Sequence, residues 1–119
     1  MSKTIAVIGA LDTKGTEFAF VKAEIERRGQ RSLVIDTGVV GEPAFAPDIP
    51  AARVAEAGGA SLAALRQQAD RGRAMEVMTR GIAVVIRELH EKGQVDGVLG
   101  MGGSAGTIIA TSAMRALPI

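Results

Sequence analysis

Two kinds of hydrophobic pattern alternate along this chain. Short unbroken apolar runs occur at Ile5 to Ile8, in SLVID at 32–36 and in VDGVLG at 95–100. Runs of this length, rich in β-branched residues, suit strands covered on both faces of a parallel sheet. Between them the apolar residues fall at helical spacing. Phe18, Val21 and Ile25 sit among charged residues and stop at Gly29, which predicts a helix closed by glycine. From Asp70 to Lys92 the residues Met75, Met78, Ile82, Val85 and Leu89 recur at steps of three and four, and Gly93 ends the pattern. A shorter helix is expected at Ala51–Ala57, broken by Gly58 and Gly59, with Ser61 placed to cap the next one. GGSAGTIIATSAMRA opens a last helix, and Leu117-Pro118-Ile119 reads as the entry to a fourth strand.

Strands alternating with helices predict an open, largely parallel α/β sheet with flanking helices and a right-handed crossover. If the second strand lies on one side of the first and the third on the other, the order is 2-1-3. Ligands of such sheets bind beyond the carboxyl ends of the strands, where strand order reverses. ALDTKGTE and GMGGSAGT would then face each other across one cleft.

Composition narrows the chemistry. A chain of 119 residues, 47% hydrophobic, builds one small core. Its net charge of +1 offers no footprint for nucleic acid. The absence of cysteine excludes a disulfide scaffold and a thiolate metal site. His90 is the one histidine, so neither a zinc constellation nor a Ser-His-Asp triad can be assembled. It reads as a partner for the carboxyl end of its helix. No leader pattern opens the chain, and no apolar run approaches the roughly 18 residues of a membrane span. A soluble, cytoplasmic protein with no membrane partner is the expectation.

Two turns carry the candidate chemistry. From Gly9 the order G-A-L-D-T-K-G-T puts lysine before glycine, so this is not a Walker A loop. Lys14 can still reach a phosphate and Thr16 can cap the helix, whose first N–H groups favour an anion. The plain alternative is a polar turn with Thr16 as cap and Glu17 as a first-turn acid. Asp12 beside Lys14 exceeds what a cap requires. In the second turn, Gly100, Gly102, Gly103 and Gly106 let backbone approach a ligand closely, and Ser104 and Thr107 add hydroxyls. Gly100, Gly102 and Ala105 also satisfy G-x-G-x-x-A, although the acid expected about 20 residues later falls past Ile119. Tight helix packing is the alternative need for these glycines. Asp36, in DTG, is open to a ribose hydroxyl or to an Asx turn. Met75 and Met78 read as core, and Arg66, Arg71 and Arg73 as a solvated face from which one could approach a phosphate.

Taken together, GALDTKGTE, RAMEVMTRG and VDGVLGMGGSAGT resemble the Tm-one-like ATP-binding domain family, which includes the N-terminal region of a plant virus-resistance protein. The resemblance runs in order through all 119 residues. It implies a Rossmann-like fold of two subdomains, a homodimer, and ATP held in a cleft. It also implies that this chain is the first part of the first subdomain. The family's motif residues map onto Asp12, Thr13, Lys14, Gly15 and Glu17, and onto Gly102, Gly103, Ser104, Gly106 and Thr107. The resulting expectation is an ATP-binding module in which Lys14 supplies charge and Asp12 acts through a magnesium ion. A binding or regulatory role stands beside catalysis, and no catalytic residue is assigned. The rivals are an NAD(P)-binding oxidoreductase domain, an enzyme of phosphorylated small molecules, and a domain that associates through its sheet edge.

Overall fold

Ala6 and Ile8 point to one face of the central strand and Val7 to the other, and each face seeds its own core. The computed structural model describes residues 2–118, apart from the side chain of Ser104. Strand β1 (Thr4–Gly9) is followed by helix α1 (Leu11–Arg27) and strand β2 (Arg31–Asp36). Helices α2 (Ala51–Ala57), α3 (Leu62–Gln68) and α4 (Arg71–Glu91) come next, then strand β3 (Gly97–Gly100) and helix α5 (Ser104–Ala116). The sheet is parallel in the order β2-β1-β3, a Rossmann-like arrangement. Its register runs from Thr4 opposite Arg31 to Gly9 opposite Asp36, and from Ile5 opposite Gly97 to Ile8 opposite Gly100.

One face of the sheet is covered by α1, through Leu11 and Phe18 packed on Val7 and Val34. The other carries α2, α4 and α5, where Val54, Val77, Met78, Ile82, Ile86 and Ala113 meet Ala6, Ile8 and Ile35. Helix α4 is set as the spacing requires. Asp70 caps it by accepting Arg73 N–H at 3.1 Å, and its apolar stripe is fully buried along Val77, Ile82 and Ile86. Helix α2 crosses it at backbone contact: a Cβ at Gly81 would stand 1.9 Å from the Val54 carbonyl, and one at Gly58 would stand 2.1 Å from that of Val77.

Two expectations differ in detail. Helix α1 begins at Leu11, well ahead of Thr16, so the first candidate turn is the opening of the helix itself. At Leu117 the chain is extended (φ −87°, ψ 146°), but no fourth strand pairs with β3 among the described residues, and Ile119 lies outside them. No described helix is long and apolar enough to cross a membrane.

Candidate functional site

Asp36 ends β2 and organises the carboxyl edge of the sheet. Its Oδ1 accepts Leu11 N–H at 3.1 Å and Gly38 N–H at 2.9 Å. The first bond caps α1 from another element; the second is the i+2 contact of an Asx turn. The residue is only 3% exposed. Burial raises its carboxyl above the ordinary aspartate range; the two N–H donors pull the other way, nearby Asp12 adds to the rise, and Arg66 opposes it. Of the two roles open to Asp36, the structure shows the Asx turn, and its Oδ1 is committed to the fold.

Asp12 is committed as well. Its Oδ2 accepts the N–H groups of Val40 and Gly41, each at 3.0 Å, while its Oδ1 is buried without a partner among the described residues. Arg66 holds the same strap by its carbonyls, donating from Nε to that of Val39 at 3.1 Å and from Nη2 to that of Gly41 at 2.8 Å. Residues 39–41 are therefore pinned by two side chains that are far away in sequence, and Gly38 by Asp36.

Between this strap, α4 and the start of α5 lies a cavity of about 360 Å³, beyond the carboxyl ends of β1 and β3, where strand order reverses. Ala10, Asp12 and Thr13 form one wall, and Thr37 to Val40 form the second. Arg71, Ala74, Met75 and Met78 of α4 form the third, and Ala105, Gly106 and Ile109 of α5 the fourth. Three helix N-termini thus border one space. In α5 the first helical bond is Thr107 N–H to the Gly103 carbonyl at 3.0 Å, so the N–H groups of Ala105 and Gly106 precede the helical ladder. Met75, Met78, Ile109, Val39 and Val40 make the remainder apolar.

The expected site residues divide. Asp12, Thr13 and Gly106 line the cavity. Lys14 is exposed, sits at a break in α1 (φ −124°, ψ 25°), and does not line it. Gly15 serves packing, since a Cβ there would stand 2.2 Å from that of Ala44. Thr16 and Glu17 are exposed on α1. Gly102 and Gly103 shape the turn before α5, and the Thr107 hydroxyl donates to the Gly102 carbonyl at 3.3 Å. The Ser104 hydroxyl lies outside the described residues. Sequence reasoning missed the strap and did not single out Arg71 from Arg66 and Arg73. The signal for Arg71 was a cation in the first turn of a helix that carries no first-turn acid.

The magnesium expectation does not fit these donors. One Asp12 oxygen is saturated by amides, the other is buried, and no described group of three His, Asp or Glu side chains could hold a metal ion.

Residues 3–119 match the model of the N-terminal domain of an uncharacterised protein family, UPF0261, and the chain belongs to that family. A UPF0261 protein of Clostridium tetani is 47% identical over 119 residues, covering 100% of this chain and 30% of the relative. One from Brucella suis is 38% identical over 118 residues, covering 99% and 28%. Another from Rhizobium meliloti is 38% identical over 117 residues, covering 98% and 28%. The chain therefore spans less than a third of the length of these curated relatives. This corrects the resemblance to the Tm-one-like ATP-binding family. Two of the motifs behind it are short turns between strands and helices, a chemistry that many parallel sheets share, and the third, RAMEVMTRG, is a stretch of α4.

Proposed function

We propose that this UPF0261 domain contributes a nucleotide-binding cleft, with the phosphate end toward the starts of α4 and α5 and the nucleoside against Met75, Met78 and Val39. The observation that carries the reading is the convergence of three helix N-termini on one cavity at the sheet's switch point. Helix N-termini carry partial positive charge, the complement of a phosphate, and of the three only α5 lacks a side-chain cap, so the N–H groups of Ala105 and Gly106 are the donors left for it. The apolar remainder and the volume suit a small organic ligand, since such pockets typically run from about 300 to 1,000 Å³. ATP is the first ligand to test. A binding or regulatory role requires nothing more of these residues than they display, and no catalytic step is assigned. Cytoplasmic residence and homodimer formation belong to the same proposal; sedimentation of the protein measures the second.

The test is calorimetric titration of ATP, NAD and inorganic phosphate into the full-length protein, beside a Gly106→Val variant that fills the α5 side of the cavity. Nucleotide binding that disappears in the variant supports the cleft. Absence of nucleotide binding defeats the reading, and tighter binding of NAD than of ATP transfers the site to dinucleotides.

A further inference from the structure

We propose that the cavity takes a ligand bearing a single phosphate monoester and that Arg71 is the residue that reads it; the ligand class rests on the nucleotide reading above. The chain has 14 lysines and arginines, yet Arg71 is the one cation in the cavity wall among the described residues. It is exposed, and it makes no hydrogen bond or ion pair among the described residues. A guanidinium with all its N–H donors unspent matches the fork geometry of a phosphate.

Its position reinforces the point. Arg71 is the first residue of α4, directly after the Asp70 cap, and the first turn contains no acid. The helix dipole disfavours a cation at this end. An anion held by Arg71 on the cavity side offsets that repulsion, while the Asp70 carboxylate is occupied with Arg73 N–H.

Charge also limits how many phosphates can be accommodated. Arg66, the nearest rival, spends Nε and Nη2 on strap carbonyls and Nη1 on Glu42 at 3.4 Å. Lys14 stands outside the cavity, and Asp12 contributes a carboxylate to its wall. A phosphate monoester carries about 1.5 to 2 negative charges at neutral pH, within reach of one guanidinium and a pair of free amides. Further phosphoryl groups inside the cavity would meet no second cation among the described residues that line it and would face the acid Asp12.

The experiment titrates adenosine, AMP, ADP, ATP and glucose 6-phosphate into the full-length protein and its Arg71→Ala and Arg71→Lys variants. Circular dichroism of each variant verifies folding. AMP is expected to bind at least as tightly as ATP, Arg71→Ala to weaken AMP by about tenfold or more, and adenosine to change by less than about twofold. Arg71→Lys should recover part of the loss, since it keeps the charge and loses the fork. ATP binding about tenfold tighter than AMP, or AMP binding indifferent to Arg71→Ala, overturns the proposal. Arg71-dependent binding of glucose 6-phosphate without any nucleotide binding would sustain the phosphate assignment and remove the nucleotide reading. Binding of none of the five overturns both.

Discussion

The carboxylate of Asp36 and the backbone N–H of Leu11 lie 25 residues apart in sequence and 3.1 Å apart in space. One buried side chain thereby ends a strand, starts a helix and anchors a loop.

Its protonation follows from that burial. The folded chain binds the Asp36 proton more tightly than the unfolded chain, because desolvation raises its carboxyl above the ordinary value of 3.8. Stability from this group is full below that value and falls as the pH rises through the folded value. Asp36→Asn keeps an oxygen for Leu11 and Gly38 and removes the titration. Urea unfolding of the variant should show a flatter fall in stability than the parent above that value; an unchanged profile would refute the assignment. Asp36→Ala instead strands both donors, at about 1–3 kcal/mol for each that stays dry.

Helix α4 offers two glycines with opposite expected outcomes. Gly81→Ala would drive a methyl into the Val54 carbonyl, 1.9 Å away, and should destabilise the domain by about 1–3 kcal/mol as α2 is displaced. Gly72→Ala finds its nearest neighbour, the Asp70 carboxylate, at an ordinary 3.5 Å and should stabilise by up to about 1 kcal/mol through helix propensity. Thermal unfolding of the pair checks the contrast. Equal shifts would mean that α2 does not rest on α4 as described.

The strap at 38–41 should loosen when either pin is withdrawn. Arg66→Ala and Asp12→Ala are each expected to speed amide hydrogen exchange at Val40 and Gly41 while leaving β1 protected. Glu42→Gln should do little. The Arg66–Glu42 ion pair is solvent-facing, with Glu42 87% exposed, and such pairs contribute about 0–1 kcal/mol. A strap that exchanged faster in Glu42→Gln than in Arg66→Ala would reverse this account.

How much of this was legible depends on distance along the chain. The strands were readable because each announces itself in its own four to six residues, and α4 because its stripe and its Asp70 cap are local. The start of α1 was misplaced for the converse reason: its cap comes from Asp36, and nothing near Leu11 signals it. Asp12 and Lys14 looked like paired site chemistry because they are neighbours. The fold separates them, tying Asp12 to the strap and leaving Lys14 outside the cavity. Arg71 faces Asp12 and Gly106 across that cavity only after the sheet has brought three distant segments together.

The central strand also sets a schedule for synthesis. Thr4 N–H meets the Asp96 carboxylate at 2.8 Å across 92 residues, so one side of β1 has no partner until the stretch that becomes β3 has left the ribosome. Throughout that interval β2 is the one strand of this sheet that β1 can pair with, and the other edge of β1 is open, the kind of surface on which nascent chains mispair. The order of elements thus leaves the second edge of the strand that emerges first waiting for the strand that emerges last, and chaperone contact with the nascent chain should fall once Gly100 has emerged.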